Sequence, residues 1–313
     1  MRRQAWGSLF VVGVMVACSS SDEASSVSPD KACDDVAHAY CEKIQECAPF
    51  LMALSFGSTS TCVDRIKIDC VPGLSAGGTS ANASTLAQCA VDAKAATCDG
   101  LLGRNPPASC KTLPGQLANG VPCGTNAQCS GRRCKPIENK SCGVCTTVVG
   151  ANVDCSEDAD CDDGLSCRDG KCKALGGANA ACTKDSPCIA TLGCVDGKCQ
   201  TPLEAGVACA PVMGSGLDPN PCNGAKGLFC HPQNRVCTKI GTANTGGACG
   251  VVNGGLVACS GSDCKVPTGV SVGACVAKVA DGATCKTGET PSCQAPAKCV
   301  DGRCTIGDPS ACK

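Results

Sequence analysis

The apolar positions of this chain change character along its length. Residues 9–16 (Leu-Phe-Val-Val-Gly-Val-Met-Val) form one apolar run behind Arg2 and Arg3. A basic start and an apolar run too short to span a bilayer make the pattern of a signal peptide over residues 1–17. Between residues 31 and 112 the spacing becomes helical. Cys33, Val36, Ala37, Tyr40, Cys41, Ile44 and Cys47 predict a first helix. Cys62, Val63, Ile66 and Cys70 predict a second, shorter one with Ser60 as its N-cap. Leu86, Cys89, Ala93 and Ala96 predict a third, between Ser84 and Gly100, while Gly73 to Ser80 reads as a loop. This segment holds Cys33, Cys41, Cys47, Cys62, Cys70, Cys89, Cys98 and Cys110, an even set that suits a self-contained three-helix bundle stapled internally.

Beyond residue 120 the periodic element is cysteine. Residues 155–172 read CSEDADCDDGLSCRDGKC and residues 182–199 read CTKDSPCIATLGCVDGKC. Both are C-x5-C-x5-C-x4-C with Asp-Gly-Lys before the last cysteine, which marks a repeat architecture. Asp169-Gly170 and Asp196-Gly197 predict type I′ hairpin turns, in which both central residues need φ > 0. Such a turn pairs Arg168 with Lys171, so that Cys167 faces Cys172 and both sulfurs point to one face. We favour the 1–3, 2–4 connectivity: Cys155–Cys167 with Cys161–Cys172, Cys182–Cys194 with Cys188–Cys199, and Cys285–Cys299 with Cys293–Cys304. A 3–4 bond would close only a tiny loop and restrict the unfolded chain little. Four cysteines allow three connectivities, and spacing alone does not decide among them.

The expected units are repeat 1 at 120–145, repeat 2 at 155–172, repeat 3 at 182–199, repeat 4 at 209–237, repeat 5 at 249–275, and repeat 6 at 285–304 with a tail to 313. Most open on a glycine shortly before the first cysteine: Gly120, Gly150, Gly177, Gly206, Gly247 and Gly282. Cys142 and Cys145 form the only C-x2-C, and Cys312 stands outside the period, so one of these is expected to bond between units. The fold class is therefore small and disulfide-rich: a stapled helical domain, then an elongated array of about six cysteine-rich β-hairpin repeats.

Composition sharpens this picture. The chain has 35 cysteines in 313 residues and only 2% aromatic residues. Small modules without large apolar side chains need staples, and such cysteine density belongs to an oxidising compartment. Each disulfide contributes roughly 2–4 kcal/mol. Net charge is −1, with no basic patch for nucleic acid.

Met15-Val16-Ala17-Cys18 resembles a bacterial lipobox, although that family prefers Leu where Met15 stands. The resemblance implies that Cys18 is acylated, anchors the chain to a membrane and becomes the first mature residue. Removing Cys18 leaves an even number of cysteines. Ser19, which follows it, implies the outer membrane by the same likeness. Residues 18–30 then form a serine-rich tether.

The cysteines, histidines and acids bear on four chemistries. Zinc–thiolate sites usually use paired C-x2-C or Cys/His clusters, whereas histidine occurs only as His38 and His231. A redox site at Cys142–Cys145 would need a helix N-terminus, and no βαβ pattern surrounds it. Asp158, Asp160, Asp162, Asp163 and Asp169 form an acidic cluster whose start resembles an EF-hand loop. The glycine required at the sixth position is displaced to Gly164, so calcium is a candidate that a solvated acidic loop outweighs. No G-x-S-x-G, H-E-x-x-H or phosphate-binding glycine loop is present, so no enzyme activity and no cofactor are expected.

The repeats, with residues 155–167 as the best copy, resemble the Dickkopf N-terminal cysteine-rich region and nematode EB modules. Together with the lipobox and the helical cysteine domain they look like large cysteine-rich lipoproteins of myxobacterial type. The likeness covers roughly residues 120–304, departs at the long 209–222 loop, and implies no Wnt-pathway activity. The expectation is a non-enzymatic, lipid-anchored envelope protein for binding, adhesion or scaffolding. Its partner would be a surface or matrix protein or a glycan. A protease inhibitor or ligand-sequestering protein, using the 209–222 loop, is the alternative, and a calcium-stiffened repeat protein is a further one.

Overall fold

The computed structural model describes residues 27–183, 188–189, 191–210 and 221–312. Among the described residues, five α-helices form the N-terminal unit. Helix α1 spans Pro29–Cys47, capped by Ser28, whose hydroxyl accepts from the Lys31 amide at 3.3 Å. Helix α2 spans Pro49–Phe56, α3 Thr59–Ser75, α4 Ala83–Ala95 and α5 Cys98–Leu102. The sequence pattern suggested three helices. It missed α2 because Ala48 breaks α1 and Pro49 restarts the chain within one turn, too short a stretch to show a period. The caps also sit earlier than expected, at Ser58 rather than Ser60 for α3 and at Asn82 rather than Ser84 for α4. Cap position follows backbone geometry, since the capping residue must be extended while its oxygen takes the amide three residues on.

Helix α1 packs against both α3 and α4. Met52 and Phe56 of α2 join Ala37, Cys41, Cys62 and Val63 in one small core, and Ala39, Ala90 and Ala93 form another. These cores are thin, and four disulfides supplement them: Cys33–Cys70, Cys41–Cys62, Cys47–Cys98 and Cys89–Cys110. No described helix is long and apolar enough to cross a membrane.

The remainder consists of small sheets, chiefly two-stranded antiparallel hairpins, plus a three-stranded sheet in repeat 1 and a five-stranded one in repeat 5. One local plan recurs six times. The third and fourth cysteines face each other across a ladder: Cys134–Cys145, Cys167–Cys172, Cys194–Cys199, Cys230–Cys237, Cys264–Cys275 and Cys299–Cys304. The disulfides run first to third and second to fourth in every repeat. They are Cys155–Cys167 with Cys161–Cys172, Cys182–Cys194 with Cys188–Cys199, and Cys285–Cys299 with Cys293–Cys304. Repeats 1, 4 and 5 add Cys123–Cys134, Cys129–Cys145, Cys209–Cys230, Cys222–Cys237, Cys249–Cys264 and Cys259–Cys275. The cysteines are themselves the core: Cys123, Cys129 and Cys145 are fully buried and cluster together.

The residue three positions before each first cysteine sits at positive φ and donates its amide to the fourth cysteine's carbonyl at 2.7–2.8 Å. These residues are Gly120, Asn152, Asn179, Gly206, Gly246 and Gly282. The left-handed requirement is thus met by asparagine in repeats 2 and 3, not by Gly150 or Gly177, and by Gly246 rather than Gly247 in repeat 5. Asparagine tolerates this region because its short amide can bond locally. The residue six positions before each first cysteine forms a parallel bridge to the second cysteine: Leu117, Val149, Gly176, Leu203, Ala243 and Val279. Each unit therefore starts earlier than its first cysteine, and the stretches between cysteine quartets belong to the folded units.

The repeats do not form an elongated array. They run around the helical unit and each docks on it. Repeat 1 takes the loop after α3, where the Ser80 amide donates to Ala127 O at 2.8 Å and Gln128 Nε2 to Gly77 O at 2.9 Å. Repeat 2 takes Arg104, whose guanidinium donates to the carbonyls of Leu165 (2.8 Å) and Asp158. Repeat 3 meets the α5 region through Thr191 and Asp99. Repeat 4 lays Gly227 under the ring of Phe50, and repeat 5 donates the Gly261 amide to Ala53 O at 2.8 Å. Repeat 6 receives Arg65 of α3, which is nearly buried. Its guanidinium clamps Asp281 at 2.6 and 2.8 Å and also donates to Ala295 O and Gln294 O at 2.6 and 2.9 Å. Cys142–Cys312 then ties repeat 1 to the end of the chain across 170 residues and closes a ring. The physical reason is that units without an apolar interior reduce their exposed backbone edges by leaning on a common hub.

Candidate functional site

The acidic cluster of repeat 2 is taken up by protein donors. Asp158 Oδ1 accepts from the Cys167 amide at 2.8 Å and from Arg168 Nη1 at 3.2 Å. Asp160 Oδ2 accepts from the Ser156 amide (2.9 Å) and hydroxyl (2.6 Å) and from the Glu157 amide (3.2 Å). Its other oxygen lies 3.7 Å from Lys135 Nζ and 3.8 Å from Arg133 Nε. Asp162 is bound by Arg132 Nη2 at 2.8 Å, Asp163 lies 3.8 Å from Lys111 Nζ, and Asp169 lies 3.1 Å from Lys173 Nζ. Three of these bases, Arg132, Arg133 and Lys135, come from the strand of repeat 1 at Arg132–Lys135. Asp160 and Asp162 thus form part of the seam between repeats 1 and 2. Hydrogen bonding from the Arg132 guanidinium holds the Asp162 carboxyl below its usual range, despite burial. Burial pushes the Asp160 carboxyl up, but the Ser156 hydroxyl and amide and the Glu157 amide outweigh it and hold that group low as well. Nothing in the sequence of repeat 2 alone marks Asp160 and Asp162 as interface groups, because the bases they meet, Arg132, Arg133 and Lys135, lie in the preceding unit.

The C-x2-C does not pair internally: Cys142 bonds Cys312 and Cys145 bonds Cys129. Within a repeat, three sulfurs such as those of Cys155, Cys161 and Cys172 lie within 4.8 Å of one another, a spacing that would suit a metal. All of them are in disulfides, so none offers a thiolate. His38 stands on α1 with Asp34 at 4.0 Å and Glu42 at 3.7 Å, one turn to either side on an exposed helix face. Cys18 and residues 211–220 of the candidate inhibitory loop lie outside the described residues.

A groove with a volume of about 650 Å³ lies between repeats 4 and 5. Leu228, Phe229 and Pro232 of repeat 4 face Val251, Gly254 and Leu256 of repeat 5. Val251 and Leu256 are a cross-strand pair, and they stay 44% and 37% exposed, so the groove opens to solvent. His231 spans it: Nδ1 accepts the Gln233 and Asn234 amides at 3.3 Å, so the proton sits on Nε2 and is given to Gly254 O at 3.2 Å. Among the described residues that line it, none is Asp, Glu, Lys or Arg. A concave apolar lining with a few fixed polar groups suits an uncharged apolar group from a partner. The groove escapes a sequence reading because its two walls belong to different units and neither wall has a periodic apolar pattern.

No family model, no curated protein and no solved structure matches this chain.

Proposed function

We propose that this chain is a non-enzymatic, lipid-anchored protein of the cell envelope. In this reading it is a rigid disulfide ring that presents binding surfaces on a tether from the membrane, and its relatives are cysteine-rich lipoproteins of the Dickkopf-like repeat type. The observation that carries the reading is the complete pairing of cysteines. Seventeen disulfides consume every cysteine except Cys18. A fold that spends all its other thiols on structural bonds belongs to an oxidising compartment, and it leaves the lipobox cysteine without an intramolecular partner. Acylation at Cys18 accounts for that remaining thiol, and the following Ser19 favours the outer membrane. Several acyl chains on one residue would anchor stably, unlike a single chain.

The partner surface is the groove between repeats 4 and 5, and its uncharged lining favours an apolar segment of a surface or matrix protein over a glycan. Fractionation tests the anchor: wild-type protein should partition with membranes and Cys18→Ser should move to the soluble fraction. Saturable retention of an envelope or matrix protein by the wild type, lost in Leu256→Asp, tests the surface. A wild type that is already soluble would defeat the anchor, and binding indifferent to Leu256→Asp would defeat the groove.

A further inference from the structure

The Cys142–Cys312 bond differs in kind from the other sixteen. Those bonds each join residues of one unit, at separations from 11 to 51 residues, whereas this one joins the first repeat to the chain end at 170. Inside a repeat the two disulfides are the core, and the cysteine ladder holds any opened thiol beside its partners. Opening one of them would require the unit itself to come apart. Cys142 belongs to no quartet. It follows the 136–141 loop of repeat 1, and Cys312 follows a single short turn at Pro309–Ala311. The two cysteines lie 170 residues apart, in separate units, so the thiols, once parted, would face a low effective concentration. Between the 136–140 loop, which precedes Cys142, and repeat 6 lies a cleft of about 610 Å³ lined by residues including Ile137, Lys140, Thr287 and Lys298. Apart from the disulfide, this junction is held by the Thr287 hydroxyl donating to Asn139 Oδ1 at 2.7 Å, by Gln128 Nε2 donating to Pro309 O at 3.4 Å, and by Pro309 resting on Gly124.

We propose that Cys142–Cys312 is a redox-sensitive clasp, and that a dithiol reductant opens the ring at the repeat 1–repeat 6 junction while every unit keeps its own disulfides. The exchange is balanced. A thiolate of the dithiol attacks one sulfur and releases the other as a thiol. Its second thiolate then resolves the mixed disulfide, leaving Cys142 and Cys312 reduced and the dithiol oxidised to its cyclic disulfide. Repeat 6 stays docked through Arg65 and Asp281, so the 136–142 loop and the 306–312 tail separate and the cleft widens.

The test is a graded treatment of the full chain with dithiothreitol under native conditions, quenched by alkylation and read by peptide mass mapping. Cys142 and Cys312 should be labelled first, at a reductant level about tenfold below that of the next pair. Amide exchange should rise only in 136–142 and 306–312. Labelling of another pair first, cooperative labelling of many pairs, or first labelling without faster exchange in those segments would each overturn the proposal. The Cys142→Ser, Cys312→Ser double variant should keep sixteen disulfides by mass and show the exchange pattern of the reduced wild type. Loss of further disulfides in that variant would show that the bond is part of the units, and would also overturn it.

Discussion

Replacing Arg65 with methionine should undock repeat 6 without unfolding it. The Arg65 side chain is only 9% exposed and makes four hydrogen bonds to repeat 6: two to the Asp281 carboxylate and two to the carbonyls of Gln294 and Ala295. Removing one member of a buried ion pair costs about 3–5 kcal/mol. Asp281 is about one-third exposed, at 35%, so water recovers part of its solvation and the low end, about 3 kcal/mol, applies. Repeat 6 keeps Cys285–Cys299 and Cys293–Cys304, so the loss should appear as local opening rather than a global transition. The amides of Gln294 and Ala297, bonded to Val279 O and Gln294 O at 3.0 Å, lie in the segment that Arg65 grips. If their exchange needs undocking, about 3 kcal/mol accelerates it on the order of 100-fold. Hydrogen exchange read by mass spectrometry over 279–305 measures this directly. Unchanged exchange in Arg65→Met, with wild-type disulfide content, would refute the claim that the repeats are held to a hub.

Other consequences follow from single contacts. A Cβ at Gly227, which has φ +74°, would sit 2.6 Å from the Phe50 ring; Gly227→Ala should therefore lower stability by about 1–3 kcal/mol, seen as a lower Tm and faster proteolysis of repeat 4. The seam between repeats 1 and 2 should weaken in acid. The Asp162 carboxyl is held low by Arg132, so its contribution is present above the unfolded carboxylate value and is lost as pH falls through the lower folded one. Exchange across 149–162 should rise toward pH 3, and Asp162→Asn should remove that part of the pH dependence. Because the acids of repeat 2 are already bonded to arginine, lysine and backbone donors, neither calcium nor a chelator should move the Tm, and a calcium-dependent rise would restore the calcium-stiffened reading.

What the sequence could tell divides by range. The Asp-Gly tips are legible because type I′ geometry depends on two adjacent residues, and Asp169 with Gly170 shows the two positive φ values, 50° and 71°, that the pair implies. The helical stripes on α1, α3 and α4 are legible because several apolar positions share a face. Helix α2 is not, since eight residues after a proline carry no period. Asn152 and Asn179 are not legible, because their left-handed backbone reflects a bond to the fourth cysteine about twenty residues on, not a local signal. The ring was hidden for the same reason on a larger scale. Arg65 and Asp281 are 216 residues apart, and Cys142 and Cys312 are 170 apart, so no spacing rule relates them. The seam acids and the groove are likewise properties of two units placed side by side.

The central claim is a fully oxidised, acyl-anchored ring. The most direct test is the intact mass of the protein taken from native membranes and alkylated under denaturing conditions without reduction. The account predicts a mass that fits acylated Cys18, no alkylated thiol, and a peptide map containing Cys142 linked to Cys312. Several alkylated thiols, or metal released on denaturation, would contradict it and make metal handling the leading reading.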